Sequence, residues 1–440
     1  MSVNKKQNLS LSQVNMITMG CSKNLVDTEQ LAHQLKQGGY EVVFESPKPL
    51  AITIINTCGF ILDAKNESIE KIFECVEWKN QGKINMLIVC GCLSARYQKE
   101  LQEMIPEVDA FFPGSALQDI LTFLNVKCRQ DELIYRCVST PKHYAYLKIS
   151  EGCSHQCAFC AIPKIRGRQL SKPIEVLKKE AEILAAQGTK ELLLVAQDLT
   201  NYGWDFDGKY HIEKLVETLA QVSGIKWIRM HYTYPNSFQL GLLDLMKKYD
   251  NICHYLDIPV QHINNQILQA MNRKITGEEI IALLDLIKAK VPDVALRTSL
   301  IVGFPGETKK MFNELKAFVS KGYFDRLGVF TYSHEENTPA YKLKDNVGKM
   351  EKQRRCEELM LIQQDISLAK NRAKIGQTIE VLVDEKKGKN YIGRTQYDSP
   401  EVDNLVTIKV PKRAVRIGDF CRCIVQKADC FDLEAQLIDM

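Results

Sequence analysis

Three thiols lie within eight residues at Cys153, Cys157 and Cys160, in the stretch Ile149-Ser-Glu-Gly-Cys153-Ser-His-Gln-Cys157-Ala-Phe-Cys160. Thiolates this closely spaced are ligands for zinc or for an iron–sulfur cluster. Four would close such a site, whereas three on a four-iron cube leave one iron without a protein ligand and open to a small molecule. A zinc knuckle on Cys157-x-x-Cys160 needs two more ligands at paired spacing, and His155 and Cys153 sit too near in sequence to complete it. Three further cysteines, Cys21, Cys58 and Cys92, follow apolar strand-like runs at 14–19, 51–57 and 84–90. In a parallel α/β sheet ligands gather at the carboxyl ends of strands, so these three are expected to converge although more than thirty residues separate each from the next. The competing account, a small buried hydrophobe, is retained for Cys75, Cys90, Cys128 and Cys137.

The elements that would position these groups fall into three blocks, at 14–126, 139–370 and 371–440. In the first, helical patterns at 26–37 and 61–78 follow the first two strand-like runs, which predicts a parallel α/β domain. In the second, six strand-like runs (144–150, 191–197, 227–234, 254–260, 295–304 and 327–333) alternate with helical patterns at 174–187, 212–222, 240–248, 278–290 and 310–321. Six β-α units fall short of the eight that close a full barrel, so an open, partial (βα)6 barrel is expected, with its active site at the carboxyl ends of the strands. The Cys153 loop follows the first of these strands. The same rule nominates Gln197-Asp198, His231, Gln261-His262, Arg297 and Gly303-Phe304-Pro305-Gly306-Glu307 as residues that face or support the cavity. Each has a plainer reading as a satisfied buried polar group or a turn chosen for its backbone geometry.

Arg166-Gly167-Arg168 offers guanidinium forks for a carboxylate or phosphate, against the alternative of solvated surface charge. Residues 350–374 read as a long helix with a wet, charged face. In the last block, short alternating runs at 378–383, 391–395, 405–410 and 421–426 separated by turn residues predict a small antiparallel β-barrel. Cys421, Cys423 and Cys430 lack a ligand spacing and are assigned to strand packing.

Composition limits the function classes. A chain of 440 residues with 45% hydrophobic content holds two or three domains with real cores. Residues 1–15 are polar without an apolar leader segment, and no run approaches the roughly 18 apolar residues of a membrane span, so a cytosolic location without membrane association is expected. Fifteen cysteines in such a chain fit thiolate ligands better than disulfides. Charge is close to balance, with 58 basic and 54 acidic residues, and from Asn371 onward 12 basic residues meet 11 acidic ones. That is no phosphate-binding surface, so direct nucleic-acid binding is not required.

The Cys-x3-Cys-x2-Cys spacing resembles the signature of the radical S-adenosylmethionine enzymes. That resemblance implies that the open iron binds S-adenosylmethionine and passes it an electron, releasing a deoxyadenosyl radical. The Gly303-x-Pro305-Gly306-Glu307 turn resembles one common near the cofactor in these enzymes, and with it Gln197 and Arg297 are expected to contact S-adenosylmethionine. Gly20-Cys21-Ser-Lys23-Asn24-Leu-Val-Asp27, Asn56-Thr57-Cys58-Gly59 and Gly91-Cys92-Leu93-Ser-Ala-Arg96-Tyr97 resemble the amino-terminal domain of the methylthiotransferases. In that family three cysteines carry a second four-iron four-sulfur cluster, which maps onto Cys21, Cys58 and Cys92. Gly393-Arg394-Thr395 and its place in the chain resemble the terminal TRAM module.

Within the methylthiotransferases, the chain is similar to the branch acting on an aspartate of ribosomal protein S12. The words that carry this are Gly20-Cys-Ser-Lys-Asn-Leu-Val-Asp27, Ile149-Ser-Glu-Gly-Cys153, Ile165-Arg-Gly-Arg168, Leu256-Asp-Ile-Pro-Val-Gln-His262 and Phe324-Asp-Arg-Leu-Gly-Val-Phe-Thr-Tyr-Ser333. The resemblance implies hydrogen abstraction from the aspartate β-carbon, then transfer of a methylated sulfur, with both clusters at one cavity and a flavodoxin or ferredoxin as reductant. Asp398-Ser-Pro-Glu401-Val-Asp403 is expected to present acids to the basic protein substrate. The alternatives are a tRNA adenosine methylthiotransferase with the same chemistry and a non-catalytic iron–sulfur or zinc-binding adaptor.

Overall fold

The computed structural model of the chain describes residues 13–114, 116–409 and 415–438. Most of the polar start expected at 1–15, and Val410 at the end of the run 405–410, lie outside the described residues. The chain divides into two compact units. One runs to Thr140 and adds Glu151–His155 and Cys160–Leu170; the other holds Pro141–Ser150, Gln156–Phe159 and the chain from Ser171 onward.

The first unit alternates buried strands with amphipathic helices: β1 (Gln13–Thr18), α1 (Ser22–Gln37), β2 (Glu41–Phe44), β3 (Ile52–Thr57), α2 (Leu62–Asn80), β4 (Met86–Gly91), α3 (Cys92–Met104), β5 (Ala110–Phe111) and α4 (Leu117–Phe123). All six positions of β3 are buried, as expected of a strand covered on both faces. Every pairing is parallel, in the order β2-β1-β3-β4-β5. Side chains alternate between two cores. Val14, Met16, Ile52 and Ile54 pack with Leu31, Leu35 and Leu121 on one face, while Ile17, Ile55 and Val89 pack with Ile72, Val76 and Leu101 on the other. The chain steps from β1 outward to β2, then returns to lay β3 on the far side of β1. Connections therefore diverge between β1 and β3, which opens a crevice at the carboxyl ends of those two strands. Sequence periodicity does not show β2, β5 and α4, which are too short to display a period, or α3, whose first residue is Cys92 itself.

The chain continues through β6 (Tyr144–Lys148), β7 (Ser150–Glu151), α5 (Ile162–Arg166), β8 (Leu170–Ser171), α6 (Ile174–Ala186), β9 (Glu191–Val195), α7 (Trp204–Asp207), α8 (Ile212–Ala220), β10 (Trp227–Met230), α9 (Gly241–Lys248), β11 (Ile252–Asp257), α10 (Asn265–Ala270), α11 (Gly277–Lys290), β12 (Ala295–Val302), α12 (Lys309–Val319), β13 (Arg326–Thr331) and α13 (Lys349–Arg372). In the second unit β6 and β9 to β13 form one six-stranded sheet in chain order, parallel throughout, with β6 and β13 as its edges. This is the open (βα)6 arrangement read from the sequence.

Two expectations for this unit are corrected. The charges of α13 do not all face water, since Lys352 and Arg355 are buried, as are the uncharged Gln363 and Asn371. Arg355 forms an ion pair with Glu307 at 3.0 Å, and Lys352 reaches Asp345 at 2.7 Å and the Tyr332 carbonyl at 3.2 Å. Long basic side chains can cover apolar surface with their stems while their heads find buried acceptors, which a helical-wheel reading cannot foresee. Arg297, nominated as a strand-end residue, is only the third residue of β12, near its amino end. At about 3.3 Å per residue it lies roughly 20 Å along the strand from Gly303.

Residues 378–437 close into a barrel of β14 (Thr378–Lys387), β15 (Asn390–Arg394), β16 (Val406–Ile408), β17 (Phe420–Ala428) and β18 (Leu433–Leu437), in the order β14-β15-β16-β18-β17. The sequence reading predicted antiparallel pairing, and four of the five pairings are so, but β16 and β18 run parallel. A closed ring with an odd number of strands cannot alternate direction all the way round. Cys421 and Cys423 pack inside this barrel with Val381, Val406 and Val425.

A buried charge network joins barrel strands and terminal module within the second unit. Glu191, at the head of β9, takes Arg229 Nε at 2.8 Å and Arg394 Nη2 at 2.9 Å, with all three side chains at most 1% exposed. Arg394 also grips Asp384 at 2.8 and 2.9 Å, and His143 reaches the same carboxylate at 2.8 Å. The acids expected to face a protein substrate are largely turned inward. Asp398 accepts from Arg326 and Thr395, and Asp403 accepts from Tyr255 at 2.8 Å and from the Ser399 N–H at 2.9 Å, leaving Glu401 exposed. Charge read along a sequence gives no direction, and here buried arginines recruit it.

Candidate functional site

The carboxyl ends of β1, β3 and β4 bring Cys21, Cys58 and Cys92 together in the first unit. Cys21 is the N-cap of α1, Cys92 is the first residue of α3, and Cys58 follows directly on Thr57, the last residue of β3. Two of the three thiols thus stand where unpaired helix N–H groups and the helix dipole favour negative charge. The backbone of Cys58 is pinned by Ser68 of α2, whose hydroxyl oxygen accepts its N–H at 3.0 Å and whose O–H donates to its carbonyl at 2.9 Å. Arg96 of α3 donates to the Gly59 carbonyl at 3.0 Å. Gly20 has φ +87°, and a Cβ there would lie 2.6 Å from Cys58 Cβ and 2.8 Å from its sulfur. Only glycine lets the β1 turn pass so close to the second thiol.

Burial pushes the Cys58 thiol up to about 11, and its neighbours Cys21 and Cys92 add to the rise. Burial likewise raises Cys92, against the lowering influence of Arg166. Cys58 and Cys92, which resist ionisation in their buried places and lie within electrostatic reach of Cys21, suit a polycationic iron core that supplies the missing positive charge. Ser94, two residues beyond Cys92, is fully buried and its hydroxyl has no partner among the described residues, leaving a donor at the mouth of α3 for a sulfide or thiolate. The residues present therefore fit an anionic iron–sulfur cluster.

Cys153 and Cys160 belong to the first unit and Cys157 to the second. The Cys153 N–H donates to the Gly167 carbonyl at 3.1 Å. In the second unit the residue after Cys157 is held from both sides, as the Ala158 N–H reaches Met271 O at 2.9 Å and its carbonyl takes the Ala340 N–H at 2.8 Å. The Cys157 sulfur lies 3.6 Å from Arg273 Nη1 and 3.8 Å from the Tyr234 hydroxyl. The Arg273 guanidinium in turn stacks 4.0 Å from the centroid of the Tyr234 ring.

Beyond the carboxyl ends of the barrel strands, Gln197 and His262 carry polar atoms without partners among the described residues, Gln197 Oε1 and His262 Nε2. His262 is fully buried, its Nδ1 accepts the Asn264 N–H at 3.0 Å, and burial drives its pKa down to about 3, so the ring is neutral. Glu307 closes the turn that follows β12, accepting the backbone N–H groups of Gly303 and Phe304 while pairing with Arg355. Its carboxylate thereby shapes the Gly303, Pro305 and Gly306 turn rather than projecting from it. His231 is buried against Ser399 Oγ at 3.1 Å and Asp257 at 3.9 Å. Arg297 is taken up by Asp257 at 3.3 Å and Asp403 at 3.4 Å.

Family models match the chain in three places: the radical SAM superfamily at 147–319, uncharacterized protein family UPF0004 at 13–113, and the TRAM domain at 375–438. The chain is 46% identical over 436 residues to the ribosomal protein uS12 methylthiotransferase RimO of Christiangramia forsetii, covering 99% of this chain and 96% of that one. It is 47% identical over 431 residues to the RimO of Flavobacterium johnsoniae, covering 98% and 99%. The chain belongs to the RimO family of methylthiotransferases. It is therefore an enzyme of the radical SAM class. Among solved structures, the radical S-adenosylmethionine methyltransferase TsrM from Kitasatospora setae, with cobalamin and a [4Fe-4S] cluster bound, superposes with a TM-score of 0.56 at 14% identity. That match covers 75% of this chain and 77% of TsrM, and it speaks for the fold alone.

Asn24 and Asp27 stand within the family-like stretch after Cys21 with no role that spacing assigns them, and Arg273 lies outside every such stretch. Asn24 Nδ2 donates to Met19 O at 2.9 Å and Thr57 O at 3.1 Å, tying the ends of β1 and β3. The offset of Asn24 from Cys21, three residues into a helix that begins at a strand end, is the signal that would have placed it beside the thiols. Arg273 carries no such signal, because it reaches Cys157 from 116 residues away.

Proposed function

We propose that the chain adds a methylthio group to the β-carbon of an aspartate in ribosomal protein uS12. The observation that carries this is the end-to-end match to RimO relatives at 46 to 47% identity. The assembly of Cys21, Cys58 and Cys92 at three strand ends supports it. When bound, a cluster with an open iron and S-adenosylmethionine would supply an electron and a carbon-centred radical, and a second cluster the sulfur to be transferred. Cys153, Cys157 and Cys160 would hold the first cluster; Cys21, Cys58 and Cys92 would hold the second.

Gln197, His262 and the Gly303-x-Pro305-Gly306 turn would receive S-adenosylmethionine, with the turn held in shape by Glu307 and Arg355. His262, neutral and with Nε2 unpaired, offers that cofactor a hydrogen-bonding group that carries no charge to repel its sulfonium. A low-potential donor such as a flavodoxin or ferredoxin would deliver electrons. The near balance of charge in the terminal module favours a protein over an RNA substrate.

The test is anaerobic reconstitution followed by mass spectrometry of uS12. About eight irons per chain and a methylthio increment on the aspartate, absent in Cys153→Ala, are expected. An increment on tRNA adenosine with none on uS12 would turn the assignment to the tRNA branch.

A further inference from the structure

Arg166 ends the short helix α5, six residues after Cys160, and its side chain is 2% exposed. Its Nε donates to the sulfur of Cys92 at 3.3 Å. Its Nη1 donates to Asp27 at 3.1 Å and to Glu151 at 2.7 Å, and its Nη2 to the side-chain carbonyl of Asn24. All of these residues lie in the first unit. The guanidinium was read from the sequence as a fork for a bound carboxylate or phosphate, yet its donors go to two carboxylates, one amide and one thiol of the chain itself. Arg168 alone of that pair remains exposed.

The placement of Arg166 is set by the loop of the tightly spaced triad. Gly152, with φ +75°, has no room for a Cβ, which would meet the Arg168 carbonyl at 2.3 Å. The next residue, Cys153, donates its N–H to Gly167 O. The backbone on either side of Glu151 and Cys153 is thus laid directly against the residues that follow Arg166. α5 also packs on α3, where Ile165 and Ala161 bury against Cys92 and Ala95.

We propose that Arg166 is a positioning residue that tunes the cluster held by Cys21, Cys58 and Cys92 through its hydrogen bond to the Cys92 sulfur, and that couples this site to the loop of Cys153 and Cys160. The proposal rests on the reading that the wide triad holds a cluster. A cationic donor on a ligand sulfur stabilises the more negative, reduced state, because reduction adds charge where the donor sits. Asp27, on the same guanidinium, opposes that effect. Removing Arg166 and removing Asp27 should therefore move the cluster in opposite directions, which a residue that merely fills space would not do. Arg273 stands in the corresponding relation to the Cys157 sulfur and serves as an internal reference.

The experiment uses full-length Cys153→Ala/Cys157→Ala/Cys160→Ala protein, in which only the wide triad can be loaded, with iron and sulfide analysis and a reductive titration followed by electron paramagnetic resonance. About four irons per chain are expected in this background. Absence of iron here would end the reading of the wide triad itself, separately from the role of Arg166. Given loading, Arg166→Gln is expected to lower the midpoint potential and shift the g values, Asp27→Asn to raise the potential, and Arg166→Lys to fall between Arg166→Gln and the parent. Arg273→Gln is expected to leave this cluster unchanged. Potentials and spectra identical to the parent in Arg166→Gln and Asp27→Asn would overturn the proposal. So would loss of iron in Arg166→Gln and Arg166→Lys alike, which would make Arg166 a strut.

Discussion

Replacing Glu191 by Gln tests how the barrel and the terminal module of the second unit are joined. The carboxylate is fully buried, and its two oxygens are matched one to one with Arg229 at 2.8 Å and Arg394 at 2.9 Å. Arg394 has a second carboxylate in Asp384, but the other acceptors of Arg229 are the neutral carbonyls of Gln396 and Thr395. Removing the negative charge strands the Arg229 charge in a site it cannot leave, beneath the Tyr255 ring at 4.9 Å. Breaking one side of a buried pair costs about 3 to 5 kcal/mol. The remaining hydrogen-bonding ability of the glutamine and the cation–π contact place this case at the lower end, about 3 kcal/mol.

With a urea dependence of about 3 kcal/mol per molar, the unfolding midpoint of the second unit should fall by about 1 M. Tryptophan fluorescence is a suitable probe, because Trp227 is buried beside Arg229. Burial alone would raise the pKa of the Glu191 carboxyl, but Arg394 and Arg229 overcome it and hold the group below its ordinary value of 4.5. The stabilisation is thus present above about pH 4.5 and lost as pH falls through the depressed value, so wild type should lose stability on acidification more steeply than Glu191→Gln. Equal midpoints at pH 7, together with parallel acid profiles, would refute the reasoning.

Cys58→Ala and Cys92→Ala should each lose about half of the iron of reconstituted wild type, measured by iron and sulfide analysis, while leaving the cluster of the tight triad detectable by its paramagnetic resonance. Gly20→Ala should lower loading of the wide triad at unchanged helix content, since its Cβ would meet the Cys58 sulfur at 2.8 Å; circular dichroism and iron analysis together check this. Asp398→Asn should destabilise the second unit by about 2 to 4 kcal/mol, because it strands the buried Arg326. The exposed Glu401→Lys should be neutral in the same denaturation assay, and weakened capture of uS12 in that variant alone would restore a docking role to this segment.

Much of the fold was legible because periodicity and burial agree. The six apolar runs from residue 144 to 333 are the six strands of the parallel sheet, and the helices between them begin and end within a few residues of their patterns. The elements that escaped are short, among them β2, β5, β7, β8, β18, α4, α5, α7 and α10, or, like α3, begin on a cysteine that reads as the end of a strand. The cysteines were legible for a different reason. Cys153, Cys157 and Cys160 stand out by spacing as candidate ligands, and the expected convergence of Cys21, Cys58 and Cys92 follows from their common place at the end of an apolar run.

What the sequence by itself determined was the inventory of thiols, the number of β-α units and the family, because each depends on local order along the chain. The tertiary structure alone decided which charges matter. Arg166 reaches Cys92, Arg273 reaches Cys157, Arg297 turns to Asp257 and Asp403, and Glu191 collects Arg229 and Arg394, over separations of 38 to 203 residues in pairs that no local pattern links. A charge gains from leaving water only where partners are already held in place. That condition is met by the packed sheet and cannot be written in the order of the residues.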